Sequence, residues 1–347
     1  MIKKKCFTAE WIEQVSSELH YNDKNLIEKV IRALSLLEML VKAGCPLVFK
    51  GGTALMLILG KSAHRLSIDI DLICPPGTNI EDYLKSFADF GFINLELVER
   101  KQRDDADIPK SHSKFFYQIA YRNDTDAQSY ILLDVLYEDI HYFRTQQIAI
   151  NCPFIRLEGK PLMVTVPSAE DILGDKLTAF APNTTGIPYY RNGRSCSMEI
   201  AKQLYDVGRL FENVSDLQIT KEAFRKIAVV ELSYRSFGTD IGQVFNDIRQ
   251  TALCISTRGK AGEGDFDLIQ DGIIRVKSFM YKQRYLIDHA IIDAARAAYL
   301  ATLIEKGINE IESYSNNPAD IKDMVIRPSL PNKLNKLRSN LPEAYYY

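Results

Sequence analysis

Arg65-Leu66-Ser67-Ile68-Asp69-Ile70-Asp71-Leu72 alternates polar and apolar residues without a break and carries two aspartates near its end. The period of two predicts a β-strand, with Arg65, Ser67, Asp69 and Asp71 on one face and Leu66, Ile68, Ile70 and Leu72 on the other. Packing accounts for the aliphatic face. It does not account for two acids at adjacent positions of the polar face. Carboxylates at i and i+2 lie roughly 6.5–7 Å apart along a strand, close enough to grip one divalent cation or a close pair. Upstream, Lys50-Gly51-Gly52-Thr53-Ala54-Leu55 predicts a tight glycine turn. Leu47-Val48-Phe49 would be a short buried strand entering it, and Thr53 to Gly60 a helix closed by glycine. Glycines at a strand–helix turn let backbone N–H groups approach a phosphate, and the helix dipole adds to the attraction. An ordinary turn needing positive φ would use the same residues. Thr53 would cap the helix or offer its hydroxyl.

Further out, residues 8–43 predict two helices, with Leu26, Val30, Ala33, Leu34, Leu37 and Leu40 at helical spacing. Cys74-Pro75-Pro76-Gly77 stops the alternating strand. A helix at about 79–90 and strands near 92–99, 114–121 and 129–137 follow, with polar Lys101 to Ser113 as a flexible loop. Helices and strands mixed over short connections make the first part, residues 1–165, an α/β or α+β domain. From Pro167 helical periodicity dominates, starting at the N-cap signature Ser168-Ala169-Glu170-Asp171. Ile200 to Phe211, Phe224 to Tyr234, Ile241 to Ile255 and Asp267 to Ile304 read as helices, and Pro182 to Arg194 as a long surface loop. Residues 166–347 would form a helical domain, with a proline-bearing tail from Asn316 that packs loosely.

Composition narrows the function classes. The 347 residues carry a formal net charge of −2 and a pI of about 6.3, so no global basic field points to nucleic acid or anionic membrane, although a local electropositive cleft remains open. The six cysteines form no C-x-x-C pair and read as reduced thiols of a cytoplasmic protein. No stretch approaches the roughly 18 apolar residues of a membrane span, and no signal h-region follows the basic start. Among the histidines (20, 64, 112, 141 and 289) no metal-ligand spacing is visible, and no G-x-S-x-G, H-E-x-x-H or Walker-type lysine loop occurs.

The acids suit a hard cation such as Mg²⁺ bridging nucleotide phosphates, with Asp69 and Asp71 as ligands. Arg65 and Ser67 on the same face would contact phosphate or support the strand. Asp134 sits in the otherwise apolar Tyr130–Tyr137. A buried carboxylate needs a partner, which a shared metal or a core ion pair would supply. Lys176 falls within the apolar stripe of Ile172, Leu173, Leu177 and Phe180. It would either snorkel or reach a triphosphate as a point charge. Asp206 borders the next apolar face, where an i,i+4 pair with Lys202 is the plain alternative.

The ordered set K-G-G-T-A-L, R-L-S-I-D-I-D-L, D-K-L-T-A-F and K-Q-L-Y-D-V, spread over roughly residues 47–212, resembles the AbiEii/AbiGii-type toxin family of bacterial toxin–antitoxin and phage-abortive systems. The resemblance implies an α+β fold: a polymerase-β-like nucleotidyltransferase domain with a mixed sheet, a helical domain after it, and the site in the cleft between. By it Gly51, Gly52 and Thr53 match the first motif, Asp69 and Asp71 the metal-binding second, Lys176 the third and Asp206 the last. Gln203 stands where the last motif often carries an acid. The implied chemistry is Mg²⁺- or Mn²⁺-dependent transfer of a nucleoside monophosphate from an NTP to an acceptor, the 3′ end of tRNA in related toxins, which stops translation. Asp206 would act as base or orient the acceptor, and a cognate antitoxin encoded nearby is expected. Nucleotide or phosphate transfer to a protein, and a non-catalytic interaction module on the same fold, are the alternatives.

Overall fold

The computed structural model describes residues 1–98, 110–121, 127–214, 216–235, 238, 240–326 and 332–347. They form two compact units, Met1–Ser168 with Ser278–Gln283, and Ala169–Lys277 with Arg284–Tyr347. In the first unit, α1 (Ala9–Leu19) and α2 (Lys24–Lys42) occupy the predicted helical stretch. Thr8 and Asp23 cap them by accepting from the Trp11 and Leu26 amides, satisfying donors that a helix start leaves open. Strand β1 (Val48–Lys50) runs directly into α3 (Gly51–Leu59). Strands β2 (Ile70–Cys74), β3 (Asn94–Val98), β4 (Lys110–Gln118) and β5 (Gln128–Tyr137) complete a sheet in the order β1-β2-β5-β4-β3. Only the β2–β5 pair is parallel, so the sheet is mixed. Strands β6 (Thr145–Ala149) and β7 (Met163–Pro167) form a separate antiparallel ribbon.

The sheet is one-sided. Ile70 and Leu72, Phe115 and Tyr117, and Ile131, Leu133 and Val135 alternate into a core shared with Leu34, Leu37 and Leu40 of α2. The residues between them lie on the less buried face, the pattern of an antiparallel-type sheet with one wet side.

Several expectations are revised here. The alternating stretch is strand only from Ile70, and Asp69 and the residues back to Arg65 precede it. Arg65 instead makes an isolated antiparallel bridge with Met280. Helix α3 starts at Gly51 rather than Thr53, so both glycines sit in its first turn. The helix expected at 79–90 is two 3-10 turns, Ile80–Tyr83 and Phe87–Phe90, interrupted at Leu84–Ser86 and closed by left-handed Gly91. Of the loop expected at 101–113, residues 101–109 lie outside those described, while Lys110 to Ser113 belong to β4.

Residues 278–283 are integral to the first unit. Leu66 N donates to Phe279 O (2.8 Å) and Tyr281 N to His64 O (3.0 Å). The Tyr281 hydroxyl bonds Ala63 O, and that of Tyr21 bonds Ser278 O. The Tyr281 ring packs edge-on against Phe154, 5.2 Å between centroids. This short strap clamps the stretch that leads into Asp69 and Asp71.

The second unit contains α4 (Ala169–Ala179), a two-residue ribbon of β8 (Tyr190–Arg191) and β9 (Arg194–Ser195), then α5 (Ser197–Phe211), α6 (Leu217–Tyr234), α7 (Ile241–Ser256), α8 (Phe266–Val276), α9 (Ile287–Lys306), α10 (Leu337–Asn340) and α11 (Pro342–Tyr346). Helix α4 packs so closely on α6 that a Cβ on Gly174 would lie 2.7 Å from Phe224 N and 2.9 Å from Thr220 O. The continuous helix expected from Asp267 to Ile304 is α8 and α9, because the strap intervenes. The loop after Pro182 is tethered at its start. Asp247 accepts from Asn183 N (2.9 Å), Asn183 Nδ2 (2.7 Å) and Thr184 Oγ1 (2.8 Å). The C-terminal stretch, expected to pack loosely, buries Ile321, Leu337, Ala344 and Tyr345.

Asp293 of α9 is fully buried against α5, where a Cβ on Gly208 would fall 2.0 Å from its Oδ1. Burial pushes its carboxyl up to about 7, against the opposing pull of Arg209 and Arg296. A raised folded-state pKa means that the folded chain holds the proton longer than the unfolded one, so stability falls as pH rises. The loss should begin near pH 4 and be complete near pH 7, amounting to a few kcal/mol on the order of the shift. The measurement is thermal melting of the unaltered chain and Asp293→Asn across that range. The difference between the two should slope with pH and flatten above 7; a pH-independent difference would contradict the assignment.

Candidate active site

Three consecutive residues of the glycine turn meet three parts of the aspartate motif. Gly51 has φ +79°, and a Cβ there would sit 2.1 Å from Asp71 Oδ2 and 2.9 Å from its Cγ. A Cβ on Gly52 would meet Ser67 Oγ at 2.7 Å and an Arg65 guanidinium nitrogen at 2.9 Å. Thr53, wholly buried, donates its hydroxyl to Asp69 O at 2.7 Å. The first glycine is therefore fixed twice, by its left-handed φ and by the carboxylate against its Cα. The Thr53 hydroxyl is committed to the Asp69 backbone, so the side chain positions the acid motif. Arg65 is buried at 6% exposure and donates to Leu66 O at 3.0 Å, which makes it a support of the same stretch.

The sheet adds a row that the motif alone does not display. Across β1, β2, β5 and β4 the residues in register are Lys50, Asp71, Asp134 and His112. Directly paired residues on neighbouring strands share a face, so these four stand side by side on the less buried one. Two carboxylates are neighbours at its centre, flanked by Lys50 and His112, and their mutual repulsion favours a cation beside them. His112 Nδ1 lies 2.5 Å from Asp134 Oδ1, and the imidazole proton sits on Nδ1 when that carboxylate is ionised. Asp69 is half-buried like Asp71. Lys29 of α2 is within its field: burial pulls the Lys29 ammonium down, and the Asp69 and Asp23 carboxylates oppose that pull.

The donor set is compatible with a hard divalent cation. Mg²⁺ is commonly held by one or two carboxylates and completes its shell with waters and substrate phosphates, which is the set that Asp69 and Asp71 offer. Among the described residues no three His, Cys, Asp or Glu side chains group to hold a metal without such help. Asp134, expected as a third ligand, adjoins Asp71 in register but directs one oxygen to His112.

In the second unit, Lys176 Nζ on α4 lies 2.9 Å from Asp206 Oδ2 and donates to Gln203 Oε1 at 2.9 Å, both on α5. Lys176 is 6% exposed and Asp206 1%. The structure thus joins the lysine of the third motif to the aspartate of the fourth. Gln203, one turn from Asp206, supplies a neutral acceptor, so among the described residues Lys176 pairs with one carboxylate, that of Asp206.

These motifs agree with a family match: residues 34–316 fit the family described as "Nucleotidyl transferase AbiEii toxin, Type IV TA system". The chain belongs to the AbiEii nucleotidyltransferase toxin family. AbiEii membership makes it a nucleotidyltransferase of the toxin type, and the matched region extends beyond the four motifs to include α9 and the later part of α2. Among solved structures, the chain is similar to JHP933 from Helicobacter pylori, at 17% identity and a TM-score of 0.43 over 81% of this chain and 94% of that one. It is also similar to MenT4, a nucleotidyltransferase toxin from Mycobacterium tuberculosis, at 13% identity and a TM-score of 0.44 over 85% and 89% of the two chains. No functionally curated protein matches it in sequence. No helix among the described residues is long and apolar enough to cross a membrane.

Proposed function

We propose that this AbiEii chain transfers a nucleoside monophosphate from an NTP to the 3′ hydroxyl of an RNA acceptor, tRNA being the acceptor the resemblance implies, with Mg²⁺ or Mn²⁺ as cofactor. Translation would stop as a result, and a cognate antitoxin encoded nearby would restrain the activity in the cytoplasm. The observation that carries the reading is the paired carboxylate row beside the glycine-rich start of α3.

Asp69 and Asp71 hold the cation. When bound, the divalent ion supplies charge neutralisation and orientation for the triphosphate. The first-turn amides of α3 face phosphate oxygens, since helix starts leave N–H groups unused and carry a positive dipole end. Gly51 and Gly52 keep that approach clear of side chains, with Ser67 against Gly52, and Arg65 supports the backbone through its bond to Leu66 O. The acceptor oxygen bonds to the α-phosphorus as the bond to the bridging oxygen breaks and pyrophosphate departs. Asp134, steered by His112, takes the hydroxyl proton. We assign Lys176 to the polyphosphate charge, as its motif position implies. Asp206 aims that ammonium, to which its Oδ2 is paired at 2.9 Å.

The test is incubation of the protein and Mg²⁺ with each α-labelled NTP and total tRNA. Label entering the RNA is the expected result. Label on protein, or transfer from the γ position alone, would overturn the acceptor assignment.

A further inference from the structure

The second unit carries a concavity of about 510 Å³ away from any motif, at the meeting of the turn after α7, the start of α9 and the C-terminal segment. Arg258, Lys260, Lys333 and Lys336 line it, with Asp288 as its acid and Leu337 in its floor. Asp288 is taken by Arg258 at 2.9 Å. Lys260, Lys333 and Lys336 have no carboxylate at ion-pair distance among the described residues. In a chain with 43 basic and 45 acidic residues, three uncompensated ammonium groups around one hollow are not a product of composition.

Helix electrostatics explain only part of the cluster. Arg258 and Lys260 follow the C-terminus of α7, where cations are favoured by the dipole. Lys333 and Lys336 come from a separate segment, stand three residues apart, and repel one another by a few tenths of a kcal/mol. The turn is also held in a costly shape. Arg258 adopts φ +54°, a left-handed conformation costing about 1 kcal/mol or more in a non-glycine residue. Its amide bonds Ile255 O, that of Gly259 bonds Cys254 O, and the Thr257 hydroxyl bonds Leu253 O and receives Ala261 N. The backbone is fixed while the basic side chains remain exposed. A rigid turn offering solvated cations around an open hollow suits a ligand with several phosphates spaced along a chain.

We propose that this basic concavity binds the sugar–phosphate backbone of the acceptor RNA, an assignment that rests on the RNA-acceptor reading above. It supplies a local positive field of the kind that polyanion binding requires, in a chain whose net charge is only −2. Its ammonium groups meet phosphate, so it holds RNA irrespective of sequence.

The experiment measures binding of fluorescently labelled total tRNA to the full chain over a series of KCl concentrations, without nucleotide. Lys333→Ala/Lys336→Ala should weaken binding about tenfold near physiological salt. It should also lower the slope of log K against log salt by about 0.7–0.9 for each phosphate left without its lysine. Lys333→Arg/Lys336→Arg should retain both. NTP affinity should be the same in all three proteins. Unchanged RNA affinity and slope in the alanine variant would overturn the proposal, as would a loss that arginine does not restore or a loss confined to NTP. The acceptor reading fails separately: lysine-dependent RNA binding with label appearing only on protein leaves this site standing. Labelled RNA with an unaffected alanine variant does the reverse.

Discussion

Asp71→Asn is expected to lower nucleotide transfer by about 10²–10³-fold, the usual cost of removing one preorganised electrostatic group, and to leave the melting temperature nearly unchanged. Asp71 stands between Lys50 and Asp134 in the sheet row. Losing its charge forfeits an attraction to the first and relieves a repulsion from the second, each worth roughly 0.2–1 kcal/mol. The two nearly cancel. The amide is isosteric, so the approach to Gly51 survives. A carboxylate kept for packing would give the opposite signature, stability lost and activity retained. Parallel assays of label transfer and thermal melting decide it, and a variant with near-normal transfer would remove Asp71 from the cation site.

Asp206→Ala should damage the fold as well as the reaction. It leaves the Lys176 ammonium buried at 6% exposure with the Gln203 amide oxygen as its remaining acceptor among the described residues. Removing one partner of a buried ion pair costs about 3–5 kcal/mol, because the other charge stays desolvated. Replacing both charges by apolar groups is often close to neutral, so Lys176→Met/Asp206→Leu should be more stable than Asp206→Ala while remaining inactive. Chemical denaturation of the single and double variants measures the difference. If Asp206→Ala unfolds at the same denaturant concentration as the parent, the pair contributes nothing to the second unit.

Much of the site can be read from the chain because its signals are local. The alternation at Asp69 to Leu72 and the glycines at 51 and 52 each lie within a few residues, and helical periodicity found α1, α2, α5 and α7 within a few residues of their ends. Cross-strand register is not local. His112 meets Asp134 only because β4 pairs with β5 in one particular alignment, and a lone histidine carries no spacing that announces it. Lys50 joins the row for the same reason. Gln203 was within reach, since residues three apart share a helix face and it precedes Asp206 by that interval. The break between α8 and α9 was hidden because residues 278–283 pack into the first unit, and apolar periodicity does not say which core a segment serves.

That excursion makes the first unit non-contiguous in the polypeptide. A fragment ending near Ser168 would lack the partners of Leu66 N, Ala63 O and the Tyr21 hydroxyl and bare one side of Phe154. The stretch so loosened leads straight into Asp69 and Asp71. The clamp on that stretch therefore cannot form until residues 278–283, which follow α8, have been made.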